Sequence, residues 1–141
     1  MKKTYSEKQI IQMIKQEEAI LEGRTQYLRR IERVLKDTFL SIESLKELSK
    51  NQGKVLVKLG SGIAIEAEIK TDTCKRAFAE NGFIDEKIPS TIKWLEKREK
   101  NVKVQMKKIS EDINKTKSEL TKLVSIVKQI EAEKRKNISV K

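Results

Sequence analysis

Two runs of apolar residues at heptad spacing constrain the fold of this 141-residue chain more than any other feature. The first ladder reads Ile14, Leu21, Leu28, Leu35 and Ile42, with an offset row of Ile10, Ile31 and Leu45 that Glu17, Arg24 and Thr38 interrupt. The second reads Ile92, Leu95, Glu99, Val102, Met106, Ile109, Ile113, Thr116, Leu120, Leu123, Val127 and Ile130. Apolar residues that recur every 3.5 positions make helices supercoil about one another. The pattern predicts helices over 4–51 and 89–137.

Local signals at the helix ends support these bounds. Thr4 and Glu7 have the spacing of a capping box, in which each side chain satisfies a free N–H of the first turn. Gly53 suits the left-handed conformation that follows many helices. Pro89 fits a first helical turn, where no N–H is needed.

The two predicted helices have nearly equal lengths and a short connection, which favours antiparallel pairing. In that register, residues whose numbers sum to about 140 face each other. Arg24 then lies near Thr116, and both helices become polar at one level. A parallel dimer of separate helices is the alternative, but the matched lengths and the intervening turns favour a coiled-coil hairpin.

Between the helices the period of the apolar residues changes to two, which indicates strands. A first β-hairpin is predicted from strands 54–59 and 63–69 around Gly60-Ser61-Gly62. A second is predicted from 74–80 and 83–85 around Asn81-Gly82, a strong two-residue turn signal. The expected fold class is mainly α with a small β part, in one domain over 1–141 with the hairpins at 54–85.

Two small hairpins cannot bury an apolar face by themselves. Their unpaired edges and apolar side chains therefore predict oligomerisation through the β region. The residues assigned to this contact are Val55, Val57, Leu59, Ile63, Ile65, Ile69, Phe78 and Phe83.

Catalysis is not supported by the sequence. The chain has no histidine, which removes the commonest general base and metal ligand. Cys74 therefore lacks a histidine partner, and the turn at Gly60 and Gly62 leads into a strand, whereas a phosphate-binding loop opens a helix. Trp94 is interpreted as a packing anchor. We expect no enzyme activity, no cofactor and no metal.

The formal charge of +11 has two interpretations. Lysines that face phosphates would bind nucleic acid; alternatively they form solvated helix faces. Their interspersion with glutamates and the scarcity of aromatic residues favour solvated faces. With no apolar leader, no run long enough to span a membrane and a single cysteine, a cytoplasmic location without membrane contact is expected.

Apolar residues near both chain ends fall partly outside the heptad rows. An adaptable surface of this kind could hold apolar segments of another protein. Ordinary fraying of the termini explains the same residues equally well. The residues outside the rows are Tyr5, Ile11, Met13, Val124, Ile138 and Val140, and the nine residues assigned to this surface are Tyr5, Ile10, Ile11, Met13, Ile14, Val127, Ile130, Ile138 and Val140.

The order of these segments resembles a prefoldin subunit of the alpha class, archaeal-type but divergent and basic. The resemblance is most specific in Val55-Leu56-Val57-Lys58-Leu59-Gly60-Ser61-Gly62, which is similar to the V-x-V-x-x-G-x-G turn of that family. Two hairpins, where the beta class has one, favour the alpha class.

The resemblance implies an ATP-independent co-chaperone. It would join beta-type subunits in a hetero-hexamer through a β-barrel platform, capture unfolded clients at the coiled-coil tips and pass them to a group II chaperonin. On this sequence, the eight β-region residues would form the platform and the nine terminal residues would bind clients. A basic nucleic-acid-binding coil and a structural or filament-forming subunit are the alternatives.

Overall fold

The computed structural model describes residues 5–50 and 53–139. Helix α1 covers Glu7–Lys50 and helix α2 covers Ile88–Ser139, with four strands between them. The strands are β1 (Lys54–Gly60), β2 (Ile63–Glu68), β3 (Thr73–Ala79) and β4 (Gly82–Lys87). The predicted fold class is confirmed. The chain forms two units, one with α1 up to Glu32 and α2 from Gln105, the other comprising Arg33–Val104.

Helix α1 begins later than the sequence predicts. Ser6 and Gln9 form the capping box: the Ser6 N–H donates to Gln9 Oε1 at 2.9 Å and the Gln9 N–H donates to Ser6 Oγ at 3.3 Å. These bonds satisfy two donors of the first turn that have no helical partner. The cap predicted at Thr4 is therefore wrong as the start of the helix, and Thr4 itself lies outside the described residues.

In the first unit the two helices pair antiparallel in the predicted register. The Arg24 guanidinium donates to Thr116 Oγ1, and also to the Asp112 carbonyl at 3.4 Å. Near the chain ends, Lys134 forms an ion pair with Glu7. The prediction that Arg24 lies near Thr116 is confirmed. Apolar residues of both helices are buried here: Ile10 and Ile31 from the offset row of α1, and Ile113 from the ladder of α2.

The second unit contains the remaining parts of the helices, again antiparallel. Ile42 and Val102 are buried, and Lys46 lies 3.6 Å from Glu96. Thr38, which interrupts the apolar row, is also buried. Its burial is tolerated because its hydroxyl donates a hydrogen bond to the Val34 carbonyl at 2.7 Å. A threonine satisfied in this way occupies a core position without a desolvated donor.

The first hairpin matches its prediction closely. Strands β1 and β2 are antiparallel, and the register shifts at Leu59, between Lys58 and Gly60. Ser61 and Gly62 form the turn with φ angles of 52° and 79°. Two consecutive residues with positive φ characterise the tight turn whose twist matches that of the flanking strands.

The second hairpin corrects the prediction. Its turn residues are Glu80 and Asn81, and Gly82 belongs to β4, where it pairs with Ala79. The register shifts at Phe78, and a Cβ on Gly82 would lie 3.0 Å from Phe78 Cε1. The aromatic ring therefore covers the glycine within the ladder. Strand β4 also extends to Lys87, so α2 follows it directly.

Gly53 connects α1 to the first hairpin. Its N–H donates to the Leu48 carbonyl at 3.0 Å and its carbonyl accepts from the Ile69 N–H at 2.7 Å. Its φ is +80°, and an added Cβ would collide with the Ile69 carbonyl oxygen. Only glycine fits this junction, as the sequence predicts. Within the described residues, neither helix has a segment long and apolar enough to cross a membrane.

Candidate interaction surfaces

The first hairpin has large apolar side chains exposed to solvent. Pairing of Val55 with Ala67 and of Val57 with Ile65 places these residues on one face. Val55 is half-buried, whereas the other five predicted residues of this hairpin region are 37–61% exposed. They are Val57, Leu59, Ile63, Ile65 and Ile69.

Leu56 is an exposed residue that the sequence interpretation missed. It pairs with Glu66 on the opposite face and is 63% exposed. Strict alternation assigns this position to the polar face, next to Lys54 and Lys58. The first hairpin is therefore apolar mainly on one face, with an isolated leucine on the other.

The second hairpin exposes two aromatic rings. Phe78 and Phe83 are 68% and 67% exposed. Phe83 pairs with Ala77 on the same face as the ion pair between Lys75 and Asp85, whose charged atoms are 3.0 Å apart. Aromatic side chains of this size contribute much of the energy of protein contacts, and in the single chain they have no cover.

The opposite face of the second hairpin is joined to α2 by a polar cluster that sequence patterns did not reveal. Glu86 Oε2 accepts hydrogen bonds from Arg76 Nε at 3.0 Å and from the Thr91 hydroxyl at 2.9 Å. The Cys74 thiol donates to the Thr91 hydroxyl at 3.1 Å. The Arg76 guanidinium also lies over the Trp94 ring, 4.3 Å from its centroid, which is a cation–π contact.

These contacts explain the positions of Cys74 and Trp94, for which the sequence supports a structural role and no catalytic one. Cys74 is a half-buried strand residue that donates a weak hydrogen bond, and Trp94 packs against the hairpin, as interpreted. The hydrogen bonds from Arg76 and Thr91 lower the pKa of Glu86 below its ordinary value of 4.5. The carboxylate is therefore held in its charged form.

A cleft of about 630 Å³ opens beside this cluster within the second unit. Its walls combine the apolar residues Leu40, Leu45, Trp94 and Leu95 with polar and charged ones such as Asp37, Lys75 and Arg76. Over the described residues, no group of acidic or sulfur-containing side chains is placed to hold a metal ion.

The predicted client residues differ in their exposure. Tyr5, Ile11 and Ile138 are exposed, at 46%, 39% and 75%. Ile10 is only 5% exposed and belongs to the helix–helix core, so its assignment to an accessible surface is wrong. Half-buried positions are Met13, Ile14, Val127 and Ile130, and Val140 lies outside the described residues.

Further exposed apolar residues in the first unit enlarge this surface. Val124 and Ile126 on α2 are 38% and 41% exposed, and Ile20 and Tyr27 on α1 are 43% and 47% exposed. We refer to Tyr5, Ile11, Val124, Ile126 and Ile138 as the terminal apolar residues. They lie outside the buried rows, and counting heptads in the sequence places all of them except Ile126 outside those rows.

Comparisons with known proteins give concordant results. Residues 10–133 match the prefoldin family, described as prefoldin subunit. Among solved structures, filamentous PFD from Methanocaldococcus jannaschii, determined by cryo-EM, aligns with a TM-score of 0.63 at 19% identity. That alignment covers 79% of this chain and 95% of the archaeal chain, and at this identity it shows a shared fold. No curated protein matches the sequence.

Proposed function

The chain belongs to the prefoldin subunit family, and from this membership we propose that it captures non-native proteins without ATP and delivers them to a group II chaperonin. The family is one of co-chaperones that act in oligomers. Capture, delivery and the alpha-type role in a hetero-hexamer are the proposed steps for this chain. We further propose that residues 1–141 act as one prefoldin-like domain.

The observation that carries the capture step is the exposure of the terminal apolar residues. Tyr5, Ile11, Val124, Ile126 and Ile138 remain 38–75% exposed on helices whose other outward residues are largely polar. Non-native proteins expose apolar segments that gain roughly 25 cal/mol for each Å² they bury. Isoleucine and valine side chains offer such area without a fixed hydrogen-bonding pattern, which suits clients of varied sequence.

Assembly is proposed through the β region. Each described strand pairs with one other, so every strand has a free edge. The exposed side chains of Val57, Ile65 and Phe83 lie on these strands. Beta-type subunits would pair with the edges and cover the apolar face. Because the similar archaeal structure is a filament, assembly of the chain with itself is the second mode.

Capture is tested by suppression of aggregation of a chemically denatured protein. Ile11→Ser with Ile138→Ser removes two terminal apolar residues, and we expect the concentration needed for half-suppression to rise several-fold. The matched control, Phe39→Ser with Val104→Ser, removes two apolar residues of the second unit that are 53% and 70% exposed. It should leave suppression unchanged. Equal suppression by both double variants and the wild type would show that clients bind elsewhere.

Native mass measurement separates the two assembly modes. The chain alone and the chain with a candidate beta-type subunit are compared at the same concentration. A closed complex that forms only in the mixture supports the hetero-hexamer. Open-ended species formed by the chain alone support the filament mode, and a monomer in both samples contradicts assembly altogether.

A further inference from the structure

The net positive charge of the chain is concentrated on one helix. Helix α2 contains fourteen basic and seven acidic residues, whereas α1 contains nine basic and eight acidic residues. The segment 54–87 is balanced, with six of each sign. The charge therefore does not arise from a uniform excess of lysine, and the solvated-face interpretation does not explain its location.

Within the first unit, this charge lies on the face of α2 that is turned away from the buried row. Heptad positions remote from Ile113 and Thr116 carry five exposed lysines and a single acidic residue, Glu111. We name the five the lysine ridge: Lys107, Lys108, Lys115, Lys122 and Lys128. Asp112 and Glu119 of the same segment lie beside the buried row instead.

The ammonium groups of the lysine ridge form no close ion pairs among the described residues, and the acidic residue among the same heptad positions is Glu111, one turn from Lys107, Lys108 and Lys115. In the part of the chain that the structure describes, no carboxylate lies within 4.0 Å of any of them. From Lys107 to Lys128 the ridge extends for about 32 Å at 1.5 Å per residue. Like charges held along one helix face repel each other, and a polyanion relieves that repulsion.

The residues between the lysines indicate which polyanion fits. They are short and polar, and all are exposed: Asn114, Ser118, Thr121, Ser125 and Gln129. Hydroxyl and amide side chains next to lysines are the groups that contact phosphate oxygens. An acidic protein partner would need an apolar or aromatic anchor, and single strands would need aromatic platforms for base stacking. Among the heptad positions remote from the buried row, from Lys107 to Gln129, there is neither; the exposed Val124 and Ile126 lie beside the buried row.

We propose that the lysine ridge binds the phosphate backbone of double-stranded nucleic acid without sequence preference. Its length is close to one turn of a duplex, about 34 Å, so several phosphates lie within reach at once. Lysine acts there as a mobile point charge and does not recognise bases. The ridge borders Val124 and Ile126, which lie one helical turn from Lys128 and Lys122, but it shares no residue with the terminal apolar residues, so nucleic-acid binding would be a second activity of the chain.

Fluorescence anisotropy with a labelled random-sequence DNA duplex of about 25 base pairs, longer than two turns, tests the proposal. Each neutralised phosphate contributes about −0.9 to the slope of log K against log salt, so five contacts give about −4.5. Lys115→Gln with Lys122→Gln should reduce this slope by about 2 and weaken binding at least about tenfold at 50 mM salt. Absence of duplex binding by the wild type at that salt concentration would overturn the proposal.

A control of equal charge separates the ridge from net charge. Lys8→Gln with Lys15→Gln makes the same change on α1 in the same unit, at exposed positions, and should leave the slope unchanged. If this variant weakens binding as much as the ridge variant, the ridge is not the site. Polyglutamate serves as the competitor. If it displaces the labelled duplex when its concentration of negative charge equals that of the duplex, the ligand is an acidic protein surface and the nucleic-acid assignment is overturned.

Discussion

The two β-hairpins have nearly the same length but are held in different ways. No hydrogen bond or ion pair of the described residues joins 54–68 to a helix, and the first hairpin is tied to α1 through Gly53 at its base. The second is fixed to α2 by the Arg76–Glu86–Thr91 bonds and the stack on Trp94. The second hairpin is anchored by side chains, whereas the first depends on one backbone junction.

This difference indicates which hairpin is available to a partner. A hairpin that is anchored on one face can offer only the other, where Phe83 lies. The first hairpin has no such anchor, and its valine and isoleucine face gains apolar burial only from another chain. We therefore expect assembly to depend most on the first hairpin.

The largest effect should follow from a charge in the middle of that face. Ile65→Lys places an ammonium group opposite Val57, and we expect the dissociation constant of the assembly to rise more than about tenfold, since an unpaired buried polar group costs roughly 2 kcal/mol or more. Sedimentation at fixed concentration measures the shift. The control, Leu56→Lys, makes the same change on the opposite face and should leave assembly intact. Dissociation by Leu56→Lys alone would assign the interface to that face.

An intermediate effect is expected at the junction of the first hairpin. Gly53→Ala requires a φ of +80° and drives a methyl group into the Ile69 carbonyl. The left-handed conformation alone costs about 1–2 kcal/mol for a residue with a Cβ, and the collision adds to it. Chemical unfolding should show a loss above about 2 kcal/mol, with early opening of the first hairpin by hydrogen exchange.

Gly62 supplies the matched control because its φ is +79° and a Cβ added there would meet no heavy atom within 4 Å. Gly62→Ala therefore reports the cost of the backbone conformation alone. The difference between the two variants isolates the collision at Ile69. Equal losses in the free energy of unfolding would mean that the backbone at the junction relaxes to accommodate the methyl group, and that the close contact between Gly53 and Ile69 does not require glycine.

The parts of the fold that could be predicted from the sequence are those set by local periodicity. Heptad rows identified both helices and their register, so the proximity of Arg24 and Thr116 followed from counting. Alternation and two glycines identified the first hairpin. The start of α1 was ambiguous because Thr4–Glu7 and Ser6–Gln9 have the same spacing, and the sequence alone does not decide which cap forms.

The remaining features depend on contacts between residues distant in the chain. Asn81-Gly82 is a strong local turn signal, but the Phe78 ring covers Gly82 and the turn moves back by one residue. The Arg76–Trp94 stack joins residues eighteen positions apart, and no periodicity points to it.

The smallest effect concerns the anchor of the second hairpin and its dependence on pH. Hydrogen bonds from Arg76 and Thr91 lower the pKa of Glu86 in the folded chain. A lowered carboxyl pKa means that its stabilisation is complete above the ordinary value of 4.5 and is lost as the pH falls through the folded value. Glu86→Gln removes this dependence, so the difference in melting temperature between wild type and variant should be constant near neutral pH and shrink on acidification below 4.5. Asp85→Asn removes the carboxylate of the exposed pair with Lys75 and serves as the matched control. If the two variants respond alike to acid, the anchor contributes no more than a surface ion pair, and the contrast between the hairpins rests on the Trp94 stack alone.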